Sequence, residues 1–488
     1  MRSIVRAVVA ALFILGLTAS FLGLLALPVA YVEFIPSLLA FDTAIVAAIL
    51  VATALFGRVY CAVLCPLGIF QDVVFWFKKR LRRKAVCFHY EGEYFRLRYG
   101  VLFVLFVSWL AGLAFIPVLV DPYSIYGRMV TNLVSPWWQQ GFNALVGLGE
   151  AQGWFLWEKY DLVFQGLATL AVSAVYFFIV AVLAWRYGRL YCNAFCPVGT
   201  MLGTVSRFSF FKIKFDSNAC ISCGLCERQC RSACIDVVQH RVDSSRCVMC
   251  LDCIDQCPKG ALSFGHQRLT APAAAEPASP AAPVLSRRAM LVSAGIAVGT
   301  AAAGIARAAQ DFSVLPVSAG PLPVMPPGSG TPQQFLQQCT ACHLCIDRCP
   351  SQVLRPAEGA YGLAGIGKPL ADYSRGYCDY NCNVCGSVCP TGAIRHLPLK
   401  VKQGTVMGIA RYDSHQCLVM NEGVECGNCA IHCPAEAITM EAVNGVRLPH
   451  VTEYKCIGCG SCEYHCPAAP KAIKVLGKGS GSPSGAWQ

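Results

Sequence analysis

The cysteines of this chain are grouped in a way that indicates metal chemistry. Thirty are present, and twenty-four of them fall into six groups of four with short, regular spacings. Two cysteines separated by two residues are poorly placed to pair across a fold, whereas together they chelate a metal well. Groups of this kind bind iron–sulfur clusters, so we expect 4Fe–4S clusters rather than zinc or a disulfide scaffold.

Four of the six groups lie beyond residue 338. The first and fourth follow the bacterial ferredoxin pattern C-x2-C-x2-C-x3-C-P, and the second and third lengthen the first gap to three and eight residues. In this pattern three thiolates bind one cubane, and the fourth cysteine, turned away by the proline, reaches the neighbouring cluster. The expected ligands are Cys339, Cys342, Cys345 and Cys349; Cys378, Cys382, Cys385 and Cys389; Cys417, Cys426, Cys429 and Cys433; and Cys456, Cys459, Cys462 and Cys466.

The other two groups lie between residues 208 and 266. One is a full match to the pattern, and the other has Arg231 where the proline is expected. Cys230 is the better fourth ligand by spacing, while Cys234 could replace it or be an inert thiol. We expect two clusters that exchange Cys230 and Cys257. The ligands of this pair are Cys220, Cys223, Cys226 and Cys230, and Cys247, Cys250, Cys253 and Cys257.

The composition indicates membrane segments. Soluble proteins average about 25% charged residues, whereas this chain has 14%, with 55% hydrophobic residues and a mean hydropathy of +0.49. Four apolar stretches approach the roughly 20 residues that a transmembrane helix requires. They are residues 8–29, 43–56, 99–120 and 162–185.

Charged residues predict the orientation of these stretches. A run of lysine and arginine at 78–84 follows the first pair, whereas residues 121–161 carry more acidic than basic groups. Because lysine and arginine favour the cytoplasmic side, we expect both ends of the four-helix unit to be cytoplasmic and residues 121–161 to be outside. The net charge of +12 therefore requires no nucleic-acid partner.

A twelve-residue motif occurs twice, once after the second apolar stretch and once after the fourth. Both copies contain G-R-x-Y-C-x3-C-P, so the four helices are expected to form two related hairpins. If the hairpins pack about a pseudo-twofold axis, the motifs face each other. The four thiols then have three interpretations: a shared metal centre, redox-active pairs, or ordinary buried cysteines at a tight turn. These thiols belong to Cys61, Cys65, Cys192 and Cys196.

The chain therefore divides into an α-helical membrane domain and two α+β ferredoxin-like domains. Between the ferredoxin domains, an Ala/Pro-rich linker precedes Arg287-Arg288, a twin-arginine pattern that marks export of folded proteins. That segment is interpreted as a signal or as a fifth, anchoring helix. The expected domains are the four-helix membrane domain 1–207, the cytoplasmic dicluster domain 208–266, the linker 267–285, the twin-arginine segment 286–308 and the periplasmic four-cluster domain 309–488.

These motifs resemble those of a known group of bacterial proteins. Residues 1–265 resemble the NapH/MauN membrane ferredoxins, and residues 286–488 resemble the NapG/MauM periplasmic ferredoxins, as if the two were fused. The resemblance implies an inner-membrane protein that passes electrons from the quinone pool to a periplasmic redox protein or reductase. It is expected to be an electron carrier or quinol dehydrogenase-type component rather than a substrate-converting enzyme. The alternative is an accessory factor that supplies electrons for maturation of a metalloenzyme.

Electron transfer between the two faces presents a physical difficulty. The hydrocarbon core is about 30 Å thick, so the route needs a cofactor within the membrane or a mobile quinol. No histidine lies in the four apolar stretches to bind a haem. The sequence instead places polar side chains beside the repeated cysteines, where they could line a quinol site. They are Arg58, Tyr60, Gln71 and Asp72.

Overall fold

The structure is a computed structural model. It describes residues 2–25, 28–81, 90, 92–111, 113, 115–154, 157, 159, 165–266, 323–443 and 445–478. The expected linker at 267–285 and the twin-arginine segment at 286–308 lie outside the described residues.

The first half of the described chain is helical. Short helices interrupted at proline and glycine alternate with long apolar ones. The helices are α1 (Arg2–Phe21), α2 (Phe34–Leu39), α3 (Thr43–Phe56), α4 (Val59–Val63), α5 (Pro66–Leu81), α6 (Phe95–Leu110), α7 (Phe115–Val120), α8 (Pro122–Met129), α9 (Ser135–Ala151), α10 (Leu167–Tyr187), α11 (Leu190–Ala194) and α12 (Pro197–Ser206), with a 3-10 turn at Pro28–Val32 and a π-helical turn at Val130–Val134.

Two of the four apolar stretches form helices of membrane-spanning length. Among the described residues, Ile4–Phe21 and Leu167–Tyr187 are long and apolar enough to cross a membrane, and most of each is exposed. The second stretch forms α3, which is equally apolar but has only 14 residues. The structure therefore supports two of the four expected spans by length and composition.

The third stretch, expected to be continuous over 99–120, is divided. α6 ends at Leu110, and α7 does not begin until Phe115. Pro117 has no N–H to donate to the carbonyl four residues earlier, and its ring crowds that turn, which favours an interruption at this point. The expected span over 99–120 is therefore not confirmed as a single helix of spanning length.

The chain forms two compact units, each assembled from three separate segments of the sequence. The first comprises 1–11, 47–120 and 181–315, and the second comprises 12–46, 121–180 and 316–488. α1, α3 and α10 each contribute residues to both units. Each group of ferredoxin motifs therefore lies in one unit together with a share of the helical region.

The cysteine-rich regions are built from two-stranded antiparallel sheets and one-turn helices. In the first unit β1 pairs with β4, so that Phe211 lies opposite His266, and β2 pairs with β3. In the second unit β5 pairs with β6, β7 with β10 and β8 with β9. The strands are β1 (Phe211–Phe215), β2 (Ile235–Asp236), β3 (Arg241–Val242), β4 (Leu262–His266), β5 (Leu354–Pro356), β6 (Pro369–Ala371), β7 (Gly408–Tyr412), β8 (Ile438–Val443), β9 (Val446–Val451) and β10 (Ile473–Gly477).

The helices of these regions are mostly single turns that start inside a cysteine motif. They are α13 (Leu225–Arg228), α14 (Asp252–Gln256), α15 (Pro332–Gln338), α16 (Leu344–Asp347), α17 (Val384–Ser387), α18 (Leu399–Gln403), α19 (Leu418–Asn421), α20 (Asn428–Ile431) and α21 (Ser461–Tyr464). The core of the second unit combines ligand cysteines with aliphatic and aromatic side chains. The fold of each region therefore depends on what its cysteines bind.

One close backbone contact in the second unit yields a test. Gly458 has φ +72°, and a Cβ at this position would overlap the backbone of Gly408 in β7. Gly445 also has a positive φ, +82°, but a Cβ added there would meet no atom within 4 Å. Alanine is strained at both positions by backbone conformation, so the difference between the variants isolates the clash.

We expect Gly458→Ala to lower the temperature at which the visible absorbance bleaches by roughly 5 °C more than Gly445→Ala does. Thermal melts of the two purified variants at equal iron content measure this difference. Equal midpoints would mean that the contact between the 456–460 loop and β7 is not important for stability.

Candidate iron–sulfur centres

In the first unit, the cysteines of the two motifs meet in two cavities. One cavity, of about 360 Å³, is lined by three cysteines of the first motif and the last cysteine of the second. The other, of about 330 Å³, is lined by the first three cysteines of the second motif together with Cys230 and Cys234. The fourth cysteine of each motif therefore lies with the other motif, as the ferredoxin pattern predicts. The first set is Cys220, Cys223, Cys226 and Cys257.

In the second unit, the same exchange creates two separate pairs. The first and second motifs exchange Cys349 and Cys389, and the third and fourth exchange Cys433 and Cys466. Three of these sets line cavities: Cys349, Cys378, Cys382 and Cys385; Cys417, Cys426, Cys429 and Cys466; and Cys433, Cys456, Cys459 and Cys462.

The remaining set in this unit follows from the exchange within its pair. Because Cys349 lines the cavity of the second motif, Cys389 is the fourth cysteine left for Cys339, Cys342 and Cys345, and the charges of Cys339, Cys342 and Cys389 all act on the thiol of Cys345. The six sets therefore each contain three cysteines of one motif and the fourth of its partner.

The four regular motifs share one backbone conformation. In each, the residues immediately before and after the second cysteine have positive φ, so that the loop curls around the point where the three sulfurs converge. These residues are Ser222 and Gly224, Met249 and Leu251, Ala341 and His343, and Gly458 and Gly460. The two lengthened motifs lack this geometry after the second cysteine, where Asn383 has φ −136° and Gly427 has φ −146°.

The donor sets fit 4Fe–4S clusters. Backbone N–H groups point at ligand sulfurs, as from Ser222 to Cys220 at 3.3 Å and from Ala437 to Cys433 at 3.3 Å. Burial raises the pKa of Cys250 and of Cys342 to about 12, so without a metal these thiols stay protonated in an apolar interior. Iron removes that proton and supplies the compensating charge.

No group of three or more His, Cys, Asp and Glu side chains in the described part of the chain is close enough to hold a single metal ion. A cubane separates its four thiolate ligands more widely than one ion does, because each thiolate binds a different iron. The cysteine sets therefore fit clusters better than mononuclear sites such as zinc.

Two buried lysines beside the clusters were missed by the sequence analysis. Lys368 is 1% exposed, and its ammonium group donates to the carbonyl of Leu336. Lys402 is 2% exposed and donates to the carbonyls of Asp379 and Tyr380. Burial lowers the pKa of Lys368 to about 8, and the charge of Cys339 opposes that shift. Neither lysine lies within a cysteine motif, so no local sequence pattern marks it as a neighbour of a cluster.

The two copies of the repeated motif hydrogen-bond to each other in the first unit, and we call this reciprocal contact the clasp. Arg58 of the first copy donates to the carbonyl of Gly199 in the second at 2.9 Å, and Arg189 of the second donates to the carbonyl of Cys61 in the first at 2.7 Å. Gly199 and Gly68 allow this packing, because a Cβ at either would overlap the carbonyl of the cysteine seven residues earlier. The copies therefore pack as a reciprocal pair, and all four of their cysteines are buried.

Asp72 is the centre of an ion-pair network that joins this pair to the adjacent ferredoxin motifs. Its carboxylate contacts Arg189 at 2.8 Å, Arg231 at 2.7 Å and Arg6 at 3.0 Å. Burial alone would raise the pKa of Asp72, but Arg189 and Arg231 hold it well below its usual range. Arg231 also pairs with Asp252 at 2.7 Å. The residue that replaces the expected proline is therefore the one that docks the dicluster region.

The four residues suggested for a quinol site have different environments. Arg58 and Asp72 are committed to the clasp and to the ion pairs. Gln71 is 2% exposed and donates to the sulfur of Cys192 at 3.2 Å, while its side-chain oxygen has no partner among the described residues. Tyr60 is buried. The contacts of Arg58 and Asp72 thus give these two side chains a structural role.

In the second unit, the first cluster motif packs against helix α8 and the turn that follows it. His343 donates from Nε2 to the carbonyl of Gly367 at 2.9 Å and accepts at Nδ1 from Asn132 at 3.4 Å. Ser135 donates to Asp347 at 2.8 Å. Burial lowers the pKa of His343 to about 3, so the ring is neutral, as this hydrogen-bond pattern requires.

Cys230 and Cys234 compete for one ligand position, with their sulfurs 3.5 Å apart. Cys230 accepts the N–H of the residue four positions later, as Cys433 does, and Cys389 accepts from the residue five positions later. These are the exchanged cysteines of their motifs, so Cys230 has the environment of a ligand.

We therefore expect Cys230→Ala to lower the iron content by about four atoms per chain, one cubane, and Cys234→Ala to leave it unchanged. Iron quantification and EPR of both purified variants check this. The reverse result would make Cys234 the ligand.

Comparison with protein families agrees with these sites. Models described as 4Fe-4S binding domains match residues 240–263 and, in separate segments, 43–84, 169–216 and 384–404. A 4Fe-4S dicluster domain model matches residues 424–469. Two of these segments, 43–84 and 169–216, contain the two copies of the repeated motif.

Curated relatives match a substantial part of the chain. A methylamine utilization ferredoxin-type protein MauM from Methylorubrum extorquens is 36% identical over 211 residues, covering 41% of this chain and 91% of the relative. MauM from Paracoccus denitrificans is 34% identical, with 41% and 92% covered. The ferredoxin-type protein NapG from Escherichia coli is 33% identical over 189 residues, with 36% and 79% covered.

No solved structure matches the chain. The relatives are matched over most of their own length, and the cysteine sets account for the chemistry that their names describe. Over about two fifths of its length, the chain therefore belongs to the family of ferredoxin-type proteins that includes MauM and NapG, and it is an iron–sulfur electron-transfer protein.

Proposed function

We propose that this protein is a membrane-bound carrier of six 4Fe–4S clusters that takes electrons from quinol and passes them to a periplasmic redox partner. The observation that carries the proposal is the set of six four-cysteine sites, each completed by the exchanged cysteine of a neighbouring motif. Clusters arranged in such pairs transfer single electrons and need no substrate pocket of their own.

The membrane location rests on two observations. α1 and α10 are apolar over a spanning length and expose most of their side chains. The basic residues at 78–84 mark a cytoplasmic loop by the positive-inside rule. With the twin-arginine pattern at Arg287-Arg288, these features support a cytoplasmic pair of clusters and a periplasmic group of four.

The repeated-motif cysteines are proposed to hold a further redox centre. All four are buried, and two buried guanidinium groups, Arg58 and Arg189, lie within the clasp. Among the described residues, Arg58 has no carboxylate partner and donates only to carbonyl and amide oxygens. A negatively charged thiolate centre would balance that cation. The match of a 4Fe-4S binding domain model to both copies supports the same assignment.

The donor and the partner are inferred from the resemblance to the NapH/MauN and NapG/MauM ferredoxins. The relatives MauM and NapG are ferredoxin-type proteins, and the name of the former refers to methylamine utilization. For this chain we propose quinol as the donor and a periplasmic oxidoreductase as the acceptor.

The iron content tests the number of centres. Six cubanes predict about twenty-four irons per chain, and a cluster on the repeated motif raises the total to about twenty-eight. We expect the higher value for the intact protein and about four irons fewer for the double variant Cys61→Ser/Cys192→Ser. Iron and acid-labile sulfide assays with EPR measure both.

The matched control for this experiment is Thr204→Val on α12, which alters a nearby hydroxyl but no thiol. If the intact protein holds about twenty-four irons and the double variant loses none, the repeated cysteines bind no cluster.

The topology has its own test. An epitope tag inserted between residues 84 and 85 should be protected from protease in intact spheroplasts, whereas a tag after Lys478 should be cleaved. The basic loop stays in the cytoplasm and the four-cluster region is exported. Lysed spheroplasts provide the control, in which both tags are cleaved. Protection of both tags in intact spheroplasts would rule out the periplasmic location.

A further inference from the structure

Several buried polar atoms of the second unit make no hydrogen bond within the described part of the chain, and the hydroxyl of Tyr123 is one of them. Tyr123, on α8, is fully buried, and its hydroxyl makes no hydrogen bond within the described part of the chain. Tyr126, one turn later on the same helix, bonds through its hydroxyl to Thr18 at 2.6 Å. A buried hydroxyl without a partner destabilises the fold, because it loses its hydrogen bonds to water and gains none in return.

The surroundings of Tyr123 combine a cluster motif with a buried carboxyl group. Its ring packs in an apolar group with Phe21 and Ala30, and Cys342 packs against the same group. Glu33, which follows the turn containing Ala30, is 1% exposed. The charges of Cys342, Glu33 and Cys389 all act on the phenol and, after burial itself, raise its pKa.

The link between α8 and the cluster motif is tight. A Cβ on Gly127 would lie only 2.5 Å from the carbonyl oxygen of Cys342 and 2.8 Å from the ring of Phe21. Both distances are too short for a real Cβ, so the glycine allows the helix and the motif to pack this closely. Hydrogen bonds from Asn132 to His343 and from Ser135 to Asp347 hold the same helical segment against the motif. Tyr123 is therefore held in a fixed position beside the site of Cys339, Cys342, Cys345 and Cys389.

The chain segment that contains Glu33 has an exposed apolar surface. Residues on either side of it expose large side chains, with Leu25 51% exposed, Leu38 42% and Phe41 79%. In a membrane protein such a surface faces lipid, so a lipid-soluble molecule would approach the carboxyl and the phenol from there.

We propose that Tyr123 and Glu33 form the site at which quinol delivers its electrons to the cluster held by Cys339, Cys342, Cys345 and Cys389. This inference rests on the proposed quinol-linked function and assigns its donor site. The Tyr123 hydroxyl donates a hydrogen bond to one quinol oxygen, and the Glu33 carboxylate accepts a proton from a hydroxyl. Oxidation of one quinol to quinone releases two protons, which Glu33 accepts in turn and passes to water. The two electrons pass to two oxidised 4Fe–4S clusters, one each.

Asp121 has a structural role beside this site. Its carboxylate caps α8 by accepting from the N–H of Ser124 at 3.0 Å and from its hydroxyl at 2.6 Å. The side chains at the repeated motif are also engaged, since Asp72 is held by three arginines. Only Gln71 there has an oxygen without a partner among the described residues, so it marks the competing location.

The test uses a fluorescent quinol analogue, 2-heptyl-4-hydroxyquinoline N-oxide, titrated into the purified full-length protein in detergent. Quenching gives the dissociation constant without turnover. We expect Tyr123→Phe and Glu33→Gln each to weaken binding about tenfold, the effect of losing one buried hydrogen bond. Tyr126→Phe is the matched control and should bind as the unaltered protein does. Iron content and reduction by dithionite should be the same in all variants.

A second measurement separates this inference from the proposed function. A reduced quinol, duroquinol, serves as the electron donor, and EPR detects cluster reduction. If duroquinol reduces the clusters of the unaltered protein, and Gln71→Leu rather than Tyr123→Phe loses binding and reduction, the donor site lies at the repeated motif and this inference fails. If quinol neither binds nor reduces the unaltered protein, the quinol-linked function itself fails. Slow quinol reduction with normal dithionite reduction in Tyr123→Phe and Glu33→Gln supports the site.

Discussion

The fold of this protein depends on bringing cysteine side chains into a low-dielectric interior, where a thiolate is stable only as a metal ligand. Burial raises the thiol pKa at several of the six sites, to about 12 at Cys250 and Cys342. The surrounding regions have two-stranded sheets and single-turn helices, which bury little apolar surface by themselves. The hydrophobic core of the second unit consists largely of the ligand cysteines and their neighbours. Metal binding and folding are therefore coupled.

Charge compensation extends beyond the sulfurs. Lys368 and Lys402 are buried beside cluster cysteines and are held by backbone carbonyls. Around the repeated motif, Arg58 and Arg189 occupy equivalent places in a reciprocal clasp, and Asp72 balances only the second of them. Reduction potentials of clusters depend on nearby charge and on hydrogen bonds to sulfur. These buried cations are thus positioned to set the order in which centres accept electrons.

The quinol site proposed at Tyr123 bears on how electrons would reach the four-cluster group from the other side of a membrane. The repeated motif needs a route through about 30 Å of hydrocarbon if its clusters are to supply the outer group. The proposed donor site beside the cluster of Cys342 would supply that group directly, with a mobile quinol as the carrier within the membrane. In this arrangement the clasp and its dicluster region form a second redox branch.

The sequence by itself determined the cluster chemistry. Cysteines separated by two or three residues stay close together however the rest of the chain folds, so their ability to bind one cluster can be read locally. It also determined the repeat, because both copies carry the same twelve-residue pattern. Only the tertiary structure decided which motifs of the four-cluster region exchange their fourth cysteines, because Cys349 joins Cys378, Cys382 and Cys385, which lie far from it in sequence. The role of Arg231 was equally hidden: its partners Asp72 and Asp252 are distant in sequence. The unpartnered hydroxyl of Tyr123 could not be anticipated either, because an exposed and a buried tyrosine look the same until the surrounding helices are packed.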